Sequence, residues 1–303
     1  MNILIVGPHS YIASHASALI AAQHPQWQLS SLSVRDDRWQ AHDYSGYDCI
    51  LYCAAIVHQK ERPELFTQYD RVNAQIPAAM AELALQQKAQ RAHSAQCAPH
   101  VDNVTPRAAL AETASQDFSA PQPGLQFIYL STMAVFGQEG RIGHTVVIDT
   151  STPLRPKNRY AKSKLDAETA LQMLCSRFPG FTLTILRPPM VYGPDCPGNY
   201  RLLERFALRI PLFPSIRNQR SMLFIDKLSE TLLRCMETSA AGTFHPQDDD
   251  YTCTAALVQD IAKQAGKRLY FCPLLNPLVH LGGLFFPMFH KVWGGLVYEK
   301  HMQ

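Results

Sequence analysis

Short apolar runs alternate along the chain with longer stretches in which small and apolar residues recur at helical spacing. Ile3–Val6, a second run reaching Val34, Cys49–Cys53, Leu125–Leu130 and Phe181–Leu186 have the length and composition of strands. The last of these carries apolar residues along its whole length, as expected of a sheet covered on both faces. Between them, an Ala-rich stretch from Tyr11 to about Gln23, closed by Pro25, predicts a helix. Two further helices are predicted, from Pro63 to about Gln90 and from Asn158 to about Arg177. This succession points to an α/β fold with a parallel sheet and helices on both faces.

Residues 91–124 interrupt the rhythm. They hold Pro99, Pro106, Pro121 and Pro123 among many Ala, Ser and Gln, with almost no large apolar residue before Leu125. They read as a polar, flexible surface insertion, with a partner-binding element as the sharper alternative. From Pro188 the pattern turns irregular, with Pro189, Pro194, Pro197, Pro211 and Pro214, which suits a smaller lobe at the carboxyl ends of the strands. The expected organisation is one domain over residues 1–187 and a lobe over 188–303, some of whose segments return to the sheet. Pro273–Val297 is apolar but broken by Asn276, Pro277, His280, Pro287, His290 and Lys291. It lacks the ~20 uninterrupted apolar residues of a membrane span. Ordinary packing is the expectation for it, with an interfacial or oligomer contact as the alternative.

Composition narrows the function classes. The 303 residues suffice for a substantial core, and a charged fraction of 17% excludes charge-driven disorder of the whole chain. A net charge of +3 provides no single-sign field for nucleic acid or a membrane surface, so any bound anion must be held by local design. Eight cysteines (Cys49, Cys53, Cys97, Cys175, Cys196, Cys235, Cys253 and Cys272) are scattered, without a C-x-x-C pair or a zinc set. No metal site is expected, and most of these thiols read as small buried hydrophobes in a reducing compartment. The opening MNILIVG lacks the marks of a secretory signal, and a cytoplasmic protein is the expectation.

The turn after the first strand, Gly7-Pro8-His9-Ser10-Tyr11-Ile12-Ala13, is a weak form of a dinucleotide-binding turn. Such a turn needs small residues for tightness, for close approach of pyrophosphate and for helix packing, and here only the first is glycine. Tyr160 and Lys164 are four apart on a predicted helix, so the ammonium is expected near the phenol, lowering its pKa for general acid/base work on a hydroxyl or carbonyl. That spacing alone recurs by chance in a chain of this size. It gains weight from Leu130-Ser131-Thr132 upstream, a hydroxyl pair at a strand end, and from Arg187-Pro188-Pro189-Met190-Val191-Tyr192-Gly193-Pro194 downstream.

Together these segments resemble the extended short-chain dehydrogenase/reductase family, in its NAD-dependent epimerase/dehydratase group. The likeness extends over Ala54-Ala55, Val72-Asn73, Gly198-Asn199-Tyr200 and Arg220-Ser221-Met222. It implies a Rossmann-type doubly wound parallel sheet with a smaller C-terminal substrate-binding lobe, NAD or NADP as cofactor, and a nucleotide-sugar substrate. It also implies a homodimer. By the resemblance, Thr132, with Ser131 beside it, Tyr160 and Lys164 are catalytic, Lys164 also holding the nicotinamide ribose. Gly7, Ser10, Tyr11, Ile12, Asp43, Tyr44, Ala54, Ala55 and Asn73 fall along or beside the cofactor. Thr132 meets the sugar, and Asn199 and Arg220 meet the substrate diphosphate, which a guanidinium grips bidentately. After the second strand the acid that holds the ribose of NAD is replaced by Ser33. Arg35 suits a 2′-phosphate and NADP, Asp36 the hydroxyls of NAD, and both readings stay open.

Three chemistries compete within this resemblance. A 4,6-dehydratase has an Asp-Glu pair directly after the active-site Thr, where this chain has Met133 and Ala134, so dehydration is disfavoured. A 4-epimerase of a UDP-hexose or UDP-N-acetylhexosamine, working through a transient 4-keto sugar, is the leading expectation, in a pathway to polysaccharide precursors. An NAD(P)H-dependent reductase of a 4-keto-6-deoxy nucleotide sugar is the alternative. The third reading, a nucleotide-binding scaffold without catalysis, is opposed by the intact Thr132, Tyr160 and Lys164.

Overall fold

The structure is a computed structural model that describes residues 1–57, 62–96 and 124–302. In chain order its strands are β1 (Asn2–Val6), β2 (Gln28–Leu32), β3 (Cys49–Tyr52), β4 (Leu125–Leu130), β5 (Thr145–Ile148) and β6 (Phe181–Leu186). They continue as β7 (Met190–Tyr192), β8 (Leu212–Phe213), β9 (Met222–Phe224), β10 (Gly242–Phe244), β11 (Tyr270–Phe271) and β12 (Gly295–Tyr298). The helices are α1 (Tyr11–Gln23), α2 (Phe66–Tyr69), α3 (Ile76–Gln96), α4 (Arg159–Arg177) and α5 (Asn199–Arg209). The chain continues with α6 (Ile225–Thr238), α7 (Thr254–Gln264), α8 (Asn276–Phe285) and α9 (Pro287–Trp293).

Six strands form one parallel sheet in the order β2-β1-β3-β4-β6-β10. Every residue of β3 and β4 is buried, which is why those runs read as apolar without alternation. The second strand differs from its apolar expectation. It is QLSSL, half polar, and occupies a sheet edge, where polar side chains discourage further pairing. One face of the sheet is covered by α3 and α4 through Ile76, Met80, Ala84, Ala167 and Leu171. The other is covered by α1 and α6 through Ala13, Ala16, Ile20, Leu228 and Leu232.

Strand order reverses between β1 and β3, since β2 lies on one side of β1 and the later strands on the other. Such a reversal opens a crevice at the carboxyl ends of the strands, the usual ligand position in sheets of this kind. The crevice lies between the turn after β1 and the loop after β3. β10, from residues 242–244, pairs with β6 and so returns from the second half of the chain to the sheet.

The lobe has its own core of Leu203, Phe213, Met222, Val258 and Ile261 between α5 and α7. It is tied to the sheet domain by pairing of β12 with β5 and by the Tyr298 hydroxyl, which donates to the Arg187 carbonyl at 2.8 Å. α3 runs to Gln96, beyond the expected end near Gln90, so residues 91–96 are helical. The rest of the expected insertion, 97–123, lies outside the described residues, as does Cys97. A π-helical stretch, Asp70–Gln75, precedes α3. Among the described residues no helix is long and apolar enough to cross a membrane.

Candidate active site

The turn after β1 is built on backbone strain that only glycine accepts. Gly7 has φ of +83°, and a Cβ there would stand 2.7 Å from the backbone of Ala54. Ser10 and Ala13, the two departures from a triple-glycine turn, each have a local reason. Ser10 caps α1, its Oγ accepting from the Ala13 amide at 3.1 Å, and Ala13 is fully buried against the sheet. The chain therefore presents the N-terminus of a 13-residue helix beside a cradle that a Cβ would fill, which fits a pyrophosphate. Ile12 packs on the core beneath this helix. Tyr11 donates to the Pro194 carbonyl at 2.8 Å and so joins the turn to the segment after β7; burial pushes its phenol up to about 12.

Thr132 follows β4 and caps a short helical turn, accepting from the Ala134 amide at 3.2 Å. α4 brings Tyr160 against it, and the two hydroxyls hydrogen-bond. Lys164, 2% exposed, donates from Nζ to the Leu130 carbonyl at 2.7 Å and stands 4.7 Å from the centre of the Tyr129 ring. Thr132, Tyr160 and Lys164 thus meet at the carboxyl end of β4. The electrostatics differ from the sequence expectation. Burial first, then the neighbouring Tyr69, push the Tyr160 phenol up to about 12, while the bond from Thr132 works the other way. Burial brings Lys164 down to about 8, against the pull of Cys53 and Glu168. The groups acting on the Tyr160 phenol are thus its burial, Thr132 and Tyr69, while the Lys164 ammonium donates to the Leu130 carbonyl.

Asn73 sits in the π-helical stretch, fully buried. Its side chain accepts from the Ile56 amide at 2.9 Å and donates to Ser163 at 3.2 Å, so it clamps the loop after β3 to α4. Its carbonyl accepts from Tyr129 at 2.6 Å. Ala54 and Ala55 lie in that loop, Ala54 directly under Gly7.

Two expected site residues are buried among other partners. Ser131 donates its hydroxyl to Glu168 and so holds the strand end. Tyr44 is fully buried; its hydroxyl donates to the Trp39 carbonyl at 2.5 Å and its amide to Gln87 at 2.6 Å, which makes it a core residue and not a cleft wall. Asp43 is exposed and accepts from the Ser45 amide at 2.9 Å. Asp36 caps a helical turn and pairs with Arg38 at 2.7 Å, which holds its carboxyl below the usual carboxylate range. Arg35 and Arg38 are exposed cations at the end of β2.

In the lobe, Asn199 is the first residue of α5, and its side chain is outside the described part of the structure. Arg220 donates to the Lys291 and Val292 carbonyls. It lines a cavity of about 560 Å³ shared with Ala134, Gly137, Lys157 and Asn158, so it faces the same space as the neighbours of Thr132 and Tyr160.

Two residues of the site escaped the sequence reading. Glu168, 1% exposed, takes the Ser131 hydroxyl and pairs with Arg187 at 2.5 Å. Its signal is the continuation of Tyr160 and Lys164 by one more four-residue step on the same helix face, opposite an arginine at the end of β6. Cys53, at the end of β3, hydrogen-bonds Ser10 and lies within electrostatic reach of Lys164; burial pushes its thiol up to about 12. It joins the turn after β1 to the centre of the site.

Comparison with known proteins gives the same outline. The profile of the NAD dependent epimerase/dehydratase family matches residues 3–246. The UDP-glucose 4-epimerase of Vibrio cholerae is 30% identical over 154 residues, 49% of this chain and 46% of that protein. The N-acetyl-alpha-D-glucosaminyl-diphospho-ditrans,octacis-undecaprenol 4-epimerase of Escherichia coli O157:H7 is 29% identical over 172 residues, 55% of this chain and 50% of that protein. The chain thus matches about half the length of these curated relatives. Among solved structures, the UDP-glucuronic acid 4-epimerase of Bacillus cereus in complex with NAD superposes with a TM-score of 0.65 at 17% identity, covering 90% of this chain and 85% of that one.

Proposed function

Because the chain belongs to the NAD-dependent epimerase/dehydratase family, we propose that it is a 4-epimerase of a sugar carried on a diphosphate, a UDP-hexose or UDP-N-acetylhexosamine. The family makes it an NAD(P)-dependent sugar epimerase or reductase; the choice of epimerase rests on the site. The observation that carries it is the meeting of Thr132, Tyr160 and Lys164 at the end of β4, followed by Met133 and Ala134, which offer no acid or base for expelling water.

The cradle at Gly7, the N-terminus of α1, the Ala54-Ala55 loop and Lys164 would hold NAD or NADP. When bound, the cofactor would supply the acceptor and donor of a hydride at the sugar C4. Tyr160 accepts the proton of the 4-hydroxyl and gives it back. With the phenol at about 12 in the protein alone, the Thr132 hydroxyl is the group that works to lower it. Thr132 orients Tyr160 and the sugar oxygen. Arg220 supplies the cation for the substrate diphosphate. The two curated relatives are named for sugars on different carriers, UDP in one and a diphospho-undecaprenol in the other.

Incubation with UDP-glucose, UDP-galactose and their N-acetyl forms, with NAD supplied, tests the proposal. Interconversion at C4 is expected, and its absence for all four sugars contradicts it. A second reading, an NADPH-dependent 4-keto sugar reductase, is favoured by Arg35 and Arg38, since Asp36 is engaged with Arg38 and not offered to a ribose. Oxidation of NADPH by a 4-keto-6-deoxy nucleotide sugar would support that reading.

A further inference from the structure

The α8–α9 segment is folded inside out. Leu274, Leu278, Leu281 and Phe285 recur at helical spacing on one face and are 85%, 61%, 54% and 71% exposed; Leu284, Phe286 and Met288 widen the patch at 78%, 59% and 59%. Water-facing leucines in such number mark a surface that is covered in use. From Ile261 to Tyr298 the chain has no carboxylate, whereas Lys263, Lys267, Arg268 and Lys291 are all exposed. The same segment walls the cavity next to the catalytic turn. α9 contributes His290 and Lys291, which share that cavity with Arg141, His144, Lys157 and Arg220. Glu139 offsets this charge, pairing with Lys157 at 3.8 Å. α9 therefore carries both exposed apolar surface and cations that line the cavity beside the reaction site.

We infer that the α8–α9 face seats on an anionic phospholipid surface, and that the site also turns over a sugar diphosphate carried on a membrane lipid. The inference rests on the sugar-diphosphate reading above and adds a second carrier to it. An exposed apolar helix face joined to cations at α9 suits an interfacial helix, with its apolar side in a bilayer and its cations drawn to anionic headgroups. A second copy of the chain fits less well, because like charges would face each other across the contact. A diphosphate entering from the bilayer meets Lys291 and Arg220 while its hydrocarbon stays among the leucines of α8.

The test uses the full chain and vesicles of phosphatidylethanolamine with phosphatidylglycerol, with or without a polyprenyl-diphosphate N-acetylhexosamine. The wild type is expected to sediment with the vesicles, less at high salt. A Leu278→Ser/Leu281→Ser/Leu284→Ser variant is expected to bind them at least about tenfold more weakly. Because those leucines are exposed, the variant should keep its melting temperature and its turnover of a soluble UDP-sugar while losing turnover of the lipid-linked one. A wild type that stays in the supernatant, or a variant that sediments equally, overturns the inference. So does a wild type that sediments poorly but forms a dimer which the variant dissolves. Turnover of the UDP-sugar without turnover of the lipid-linked sugar refutes the carrier alone. Vesicle binding without epimerisation of either sugar refutes the epimerase reading and, with it, the carrier.

Discussion

Lys164 is held at a cost that the reaction needs. A lysine with 2% exposure whose pKa falls to about 8 is charged against its surroundings. Because its folded value lies below the unfolded one, the penalty is fully present below pH 8 and disappears as pH rises towards the value of free lysine. Lys164→Met removes the charge and keeps the volume. It is expected to raise unfolding free energy by about 2 kcal/mol at pH 7, after loss of the bond to Leu130, while turnover falls at least about a thousandfold. Urea unfolding at pH 7 and pH 10 checks this, with the gain over wild type shrinking at the higher pH. Tyr160→Phe leaves the fold intact and is expected to lower kcat by about 10²–10⁴-fold with cofactor binding retained. At Gly7 the requirement is steric. Gly7→Ala sets a Cβ 2.7 Å from Ala54 in a left-handed backbone and is expected to abolish cofactor binding in calorimetry.

At the scale of elements, α4 carries two jobs on one face. Near its start it buries Ser163, Lys164 and Glu168, and near its end Leu171 and Leu174. The pairing of Glu168 with Arg187 fixes the helix against β6, and its bond from Ser131 fixes the end of β4, so both halves of the site share one anchor. Glu168→Ala leaves Arg187 buried without its partner and is expected to destabilise the fold by about 3–5 kcal/mol in urea unfolding. This element shows what was and was not legible beforehand. The extent of α1, β4 and β6 could be read from composition and breakers, because each is a continuous run bounded by Gly, Pro or polar residues. The use of Ser131 and Tyr44 could not. Whether a hydroxyl faces substrate or a buried partner depends on contacts 37 residues away in one case, and on a backbone carbonyl five residues away in the other. The π-helical stretch that presents Asn73 likewise leaves no periodic trace in a sequence already helical on both sides.

For the whole molecule, the proposed function gives the lobe the choice of substrate and the sheet the chemistry. The parallel sheet and its two helical layers were legible in the strand and helix alternation, whereas the reversal between β1 and β3 was implied only by the family resemblance. The inverted polarity of α8 and α9 was legible in neither, since an apolar segment broken by prolines reads as core until its neighbours are known. A second surface concerns assembly. α3 and α4 meet along a shallow groove of small residues, Ala78, Ala79 and Ala170, with Met173 63% exposed, a setting suited to a second copy of the same helices. If the homodimer forms there, Ala170→Arg should yield monomers in sedimentation velocity with the melting temperature little changed. In the proposed epimerisation a hydride leaves and returns to one carbon of a sugar. Supplying a UDP-hexose deuterated at C4 to the purified protein reads this out. The expected product is the C4 epimer with deuterium retained and no net consumption of cofactor. Absence of that epimer, together with NADPH oxidation by a 4-keto sugar, would contradict the proposal.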